Sequence, residues 1–180
     1  MYFYRQFHNI IRLKDVRKIT IYIGLLFLPL IISCAKSPDL DKNPYIEFVE
    51  IINNRIAQSN QADSVIFVLY FEDGDGNLRP ADGITPNVFL RDRRDSTISF
   101  SFTSPDIPRE GSGNGIRGTL SLSANILRGD LCCIYPNGQP PCTPSFPLIT
   151  DSIYYDLFLF DADGNKSNIV LAGPLLLLCD

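Results

Sequence analysis

Over residues 116–126 the apolar side chains Ile116, Leu120, Leu122, Ala124 and Ile126 share one parity, and Arg117, Thr119, Ser121, Ser123 and Asn125 occupy the other. Successive side chains leave a strand on opposite faces, so a period of two predicts a strand with one dry and one wet side. A helix would scatter the same residues around its circumference. Residues 97–103 repeat the pattern with Ile98, Phe100 and Phe102 between Ser and Thr. Residues 64–71 are apolar on both parities, with Val65, Phe67, Leu69 and Phe71 against Ile66, Val68 and Tyr70. A run apolar on both faces is what a central strand is expected to show. Residues 45–51, 86–91, 152–160 and 169–178 complete a set of seven strands, and residues 104–114, rich in Pro, Gly and Ser, read as a loop. Only residues 50–59 leave room for a turn or two of helix. Seven strands with turns between them predict an all-β, immunoglobulin- or fibronectin III-like β-sandwich.

The first 33 residues have a different character. Arg5, Arg12, Lys14, Arg17 and Lys18 precede an apolar run at residues 19–32, and Ile31-Ile32-Ser33-Cys34-Ala35 follows. Charge, apolar run and small-residue cleavage site are the order of a secretory signal. The run is shorter than the roughly 20 apolar residues that span a bilayer, and it contains Thr20 and Pro29. Residues 31–34 match a lipobox with Ile in place of the commoner residues, which makes Cys34 the lipidation site. Each buried acyl methylene contributes about 0.8 kcal/mol, so several chains on one cysteine hold a soluble domain at a membrane. The expected organisation is a signal peptide at 1–33, a lipidated tether at 34–43 and the β-sandwich domain at 44–180. The expected location is the cell envelope, as an outer-membrane lipoprotein whose periplasmic or surface face the sequence leaves open.

The 147 residues from Cys34 onward suit one domain. They keep 11 of the 16 Lys and Arg and 19 of the 20 Asp and Glu, a net charge of −8. An acidic body without a basic stripe is repelled by phosphate backbones, which excludes nucleic acid as a partner. Arg91, Arg93 and Arg94 form the one basic cluster, and Asp92 and Asp95 beside them predict a self-neutralised strand end. The single histidine, His8, lies in the leader, and Trp is absent. Acid-base and nucleophilic schemes that depend on imidazole are closed to the remainder. Beyond Cys34 stand Cys132, Cys133, Cys142 and Cys179. An even number in an exported chain reads as disulfides. Neighbouring residues lie about 3.8 Å apart, too close for the usual bridge. One of Cys132 and Cys133 is therefore expected to bond Cys142 and the other Cys179.

Two strands run into acidic turns of like spelling, Asp73-Gly74-Asp75-Gly76-Asn77 and Asp161-Ala162-Asp163-Gly164-Asn165. Carboxylates at alternate positions with a following Asn place several oxygens on one side of a tight loop, the donor set a hard cation such as calcium requires. Asp73, Asp75 and Asn77 are the candidate metal residues, and calcium is the candidate cofactor. An EF-hand is excluded, because Leu78 and Ile84 stand where its Gly and bidentate Glu belong. The second turn, with a strand close behind it, is expected to be a plain hairpin turn. Arg79 offers an alternative way to neutralise the first.

Together these features resemble a family of uncharacterised Bacteroidota lipoproteins. The motifs that carry the resemblance are the lipobox, the DGDGN-type segment at Phe71-Glu72-Asp73-Gly74-Asp75-Gly76-Asn77-Leu78, and a C-terminal DxAGNxSN-like hairpin from Asp151-Ser152-Ile153-Tyr154-Tyr155 through Asp161 to Val170. The likeness spans most of the chain after the leader, but only those motifs are specific. Arg79 replaces a glycine and Asp163 an alanine of that pattern. The resemblance implies an envelope sandwich and brings no activity with it.

The expected function is a non-enzymatic adhesion, scaffold or accessory binding module, held to the membrane by its lipid and meeting a protein or glycan partner. The alternative is a glycan-binding partner of an outer-membrane uptake system, with Tyr135, Tyr154 and Tyr155 as candidate platforms. Tyr154 and Tyr155 fall on opposite faces of one strand, so at most one is exposed. A hydrolase using Asp73 and Asp75 as paired carboxylates fits least, since two residues of one tight turn do not flank a scissile bond.

Overall fold

A computed structural model describes residues 40–59, 62–108, 115–127, 129–144 and 149–180. The leader and Cys34 lie outside these residues, as do 109–114 of the expected loop. Eight strands follow in order: β1 (Tyr45–Ile52), β2 (Arg55–Ala57), β3 (Ala62–Asp73), β4 (Val88–Asp92), β5 (Ile98–Phe102), β6 (Ile116–Leu127), β7 (Thr150–Leu159) and β8 (Val170–Leu178). Among the described residues there is no helix. The segment expected to hold a helical turn instead ends β1 and forms β2, which lies parallel to β8 with Ile56 opposite Leu177. Ile56 is buried there, and strand pairing over an apolar contact overrides a weak local preference.

The strands form two sheets, β1-β3-β6 and β2-β8-β7-β4-β5. β3 lies at the centre of the smaller sheet, and its Val65, Phe67, Leu69 and Phe71 are buried. It pairs with β6 in unbroken antiparallel register from Ala62 opposite Leu127 to Asp73 opposite Ile116. β6 buries Ile116, Leu120, Leu122, Ala124 and Ile126 and exposes the alternate positions, as its period of two predicts.

In the other sheet, β7 turns Ile153, Tyr155, Leu157 and Leu159 inward, and β4 turns Val88 and Leu90 the same way. These side chains and those of the smaller sheet make one continuous core. Phe67 of β3 meets Tyr155 of β7 edge to face, with ring centroids 5.6 Å apart. Each fully buried large apolar side chain contributes about 1.5–3 kcal/mol, so this shared layer holds the two sheets together. Gly173 is required by the pairing of β8 with β7: its φ is 143°, and a Cβ there would lie 2.9 Å from the Ile153 carbonyl oxygen.

The strand directions give the domain two ends. At one, β6 stops at Leu127 while β7 begins at Thr150, paired with Leu178. Here Cys132 bonds Cys142 and Cys133 bonds Cys179, which decides between the two pairings the sequence allows. Cys133 follows the smaller sheet and Cys179 the larger, so that bridge ties the sheets together. At the other end, β3 stops at Asp73 and β7 at Leu159, and each runs into one of the acidic turns.

Candidate cation site

The turn after β3 is shaped by its own first carboxylate. Asp73 Oδ2 accepts the backbone N–H of Asn77 at 2.9 Å, and Gly76 takes a φ of 68° that glycine adopts freely. The turn after β7 is built alike. Asp161 Oδ1 accepts the N–H groups of Asp163 and Asn165, Asp161 Oδ2 accepts the Asn165 amide, and Gly164 has a φ of 86°. The hairpin expected there is present.

What the sequence did not indicate is that the two turns touch. The N–H of Ala162 donates to the Asn77 carbonyl at 2.9 Å, and Asn77 Nδ2 donates to Asp163 Oδ2 at 2.9 Å. Asn87, buried on β4's approach, donates to the carbonyls of Leu78 and Phe160 and so stitches the exits of both turns. From in front, the segment before β1 crosses the first turn, where the Gly74 N–H donates to the Asp41 carbonyl at 2.7 Å. A Cβ on Gly74 would lie 2.3 Å from the Leu40 carbonyl oxygen, so only glycine admits this strap.

The contact brings Asp161 to the carboxylates of the first turn. One oxygen each of Asp73, Asp75 and Asp161 lie within 4.8 Å of one another. Asp73 is fully buried. Among the described residues, Asp73 Oδ1, Asp75 Oδ1 and Asn77 Oδ1 are buried without a hydrogen-bond partner. Burial pushes the Asp73 carboxyl up to about 6; the neighbouring Asp75 and Asp161 charges act in the same direction, against the Asn77 N–H that lowers it.

Three other charged groups of this end, Asp82, Glu72 and Arg79, are engaged elsewhere. Asp82 accepts from the N–H groups of Ile84 and Thr85 and from the Thr85 hydroxyl, and Glu72 accepts from the Tyr70 hydroxyl. Arg79 folds over Gly83 and donates to its carbonyl rather than reaching the carboxylates. Among the described residues no ion pair involves Asp73, Asp75 or Asp161. Leu78 explains why the loop departs from an EF-hand: its side chain enters the core immediately after Asn77, so the chain does not return to the site with ligands of its own.

The arginine cluster lies at the disulfide end. Arg94 pairs with Asp92 at 2.7 Å and with Asp151 at 2.6 Å, and it donates to the Cys132 carbonyl. Arg91 and Arg93 share Asp156 of β7. The cluster is neutralised as expected, but mostly across strands, whereas Asp95 bonds Thr97 instead. Of the three tyrosines, Tyr155 is in the core, Tyr154 is exposed, and the Tyr135 hydroxyl donates to the Thr143 carbonyl.

No family, curated protein or solved structure matches the chain.

Proposed function

We propose that this protein is a lipid-anchored β-sandwich of the bacterial outer membrane, fixed through Cys34, that acts as a non-enzymatic adhesion, scaffold or accessory binding module. The observation that carries the reading is that all four cysteines beyond Cys34 are paired, in a chain whose leader has the order of an export signal. Disulfides persist outside the reducing cytosol and are rare within it. Strand order supports the immunoglobulin or fibronectin III type. Taken in sequence as A, A′, B, C, C′, E, F and G, the strands give an A-B-E sheet facing a G-F-C-C′ sheet with A′ added beside G.

Three further features favour binding or scaffolding over catalysis. The part after the leader has no imidazole. Asp73, whose raised pKa would suit a general acid, is sealed from any substrate by its complete burial. Asp82, Asn87 and the Asp41 carbonyl are spent on turns and straps. The chain also enters the domain beside the acidic turns, where Asp41 straps Gly74, so the opposite, disulfide-bearing end is the one free to meet a partner.

Membrane fractionation tests the anchor. The protein is expected in the membrane fraction, with an acylated Cys34 as its N-terminus by mass spectrometry, and Cys34→Ser is expected to release it. Recovery of an unacylated chain beginning elsewhere would refute the reading. Protease treatment of intact cells then distinguishes a surface module, cleaved from outside, from a periplasmic scaffold.

A further inference from the structure

We infer that the two acidic turns together form one site for a hard divalent cation of the calcium class, held by Asp73, Asp75, Asn77 and Asp161, which joins the two sheets at the end opposite the disulfides. The inference stands whether or not Cys34 carries a lipid.

Three oxygens of one turn, Asp73 Oδ1, Asp75 Oδ1 and Asn77 Oδ1, are buried with no donor among the described residues. Two belong to carboxylates and the third to an amide whose nitrogen is committed to Asp163. Since a carboxylate accepts and does not donate, that bond fixes the Asn77 oxygen as an acceptor too. Buried acceptors are almost always satisfied in a native protein, so a group of three that faces no N–H or O–H points to a species the polypeptide does not provide. A shared proton would serve one carboxylate pair and leave the Asn77 oxygen and the Asp161 charge unanswered. A cation serves all of them together.

Size and ligand type favour calcium. Calcium binds six to eight oxygens at about 2.3–2.6 Å, so oxygens across the ion lie at most about 5 Å apart. One carboxylate oxygen each of Asp73, Asp75 and Asp161 lie within 4.8 Å of one another, inside the span that one calcium ion bridges. Magnesium, at about 2.0–2.1 Å, would draw opposed oxygens to about 4 Å and keeps several waters. The alternate spacing of residues 73, 75 and 77 supplies ligands from one turn. Because Leu78 is committed to the core, the remaining protein ligand must come from another segment, and Asp161 provides it. The bonds from Asp163 and Asn165 to the Asp161 carboxylate hold it in orientation, as outer hydrogen bonds do around metal ligands. Asp73 ends β3 and Asp161 lies just beyond β7, so one ion bridges both sheets.

Asp75 allows a clean test, because among the described residues no N–H or hydroxyl group donates to its carboxylate, whose side-chain partner is the Asp73 carboxyl. The purified full chain, stripped with chelator, is titrated with calcium alone or magnesium alone and followed by thermal melting and calorimetry. Calcium is expected to bind with a dissociation constant in the submillimolar range of extracellular modules. At about 100 times that concentration the midpoint should rise by roughly 5–10 °C, with a smaller rise for magnesium. Asp75→Asn should melt no lower than the parent without calcium and should weaken calcium at least about tenfold. Asp161→Asn should weaken it likewise, which marks the site as shared between turns. No heat and no shift at about 10 mM calcium, or full affinity in Asp161→Asn, would overturn the inference. So would an Asp75→Asn chain that melts lower without calcium yet keeps the calcium-induced rise.

Discussion

Arg94 lies between Asp92 and Asp151 at the disulfide end of the domain, whereas Asp73, Asp75 and Asp161 face one another at the far end with no cationic side chain paired to them among the described residues. Both ends bury carboxylate oxygen, and burying charge is costly unless it is paired. The disulfide end is complete in itself: guanidinium, carboxylates and the Cys133–Cys179 bridge all belong to the chain. The acidic end depends on its surroundings for the charge it lacks. A domain built this way has one end whose stability is fixed by covalent and ionic bonds and another whose stability is conditional.

Four measurements test that contrast. The largest effect is expected from replacing Cys133 and Cys179 by Ser. Their bridge spans 46 positions, and loop-closure entropy for that span gives a loss of about 4 kcal/mol, readable as a lowered denaturant midpoint. The shorter Cys132–Cys142 loop should cost less. Arg94→Met comes next. It keeps most of the side chain's volume but leaves Asp92 buried and unpaired, with a cost of about 3 kcal/mol. Equal melting of Arg94→Met and the parent would show that the disulfide end does not rely on its ion pairs.

Asp75→Asn should have the opposite sign. In chelator it removes a like charge from the cluster and should stabilise the chain by up to about 1 kcal/mol, measured by denaturant titration. A loss of stability in chelator would mean that the two ends are built alike. The smallest effect concerns Asp82, beside the acidic end. The Thr85 hydroxyl and the N–H groups of Thr85 and Ile84 hold its carboxyl down to about 2. Its folded value is thus below the ordinary 3.8, so the local stability it confers is present above about 4 and is lost as pH falls through about 2. An NMR titration of the Asp82 side-chain carbonyl carbon should place its midpoint there, and Asp82→Ala should increase amide exchange at Ile84 and Thr85 only.

Residues 116–126 and 64–71 were legible as strands because period and burial are local properties, written residue by residue. β2 was not, since three residues carry no period and Arg55–Ala57 is a strand only through its partner Leu176–Leu178. The same division separates the halves of the acidic site. Asp73, Asp75 and Asn77 stood out as a ligand pattern within five positions. Asp161 looked like part of an ordinary hairpin turn, and its hydrogen bonds are those of one. Its repeated spelling was the one available hint, but spelling does not state distance.

The all-β class of the fold, the even set of cysteines and the oxygen donors of the first turn follow from side-chain chemistry and short-range spacing, so the order of residues was enough to specify them. Tertiary structure alone decided that Cys133 meets Cys179, that Arg94 reaches Asp151, and that the turn after β7 closes on the turn after β3. Those pairings depend on how two sheets stack across a shared core. That stacking is set by the summed packing of many side chains, and no single motif encodes it.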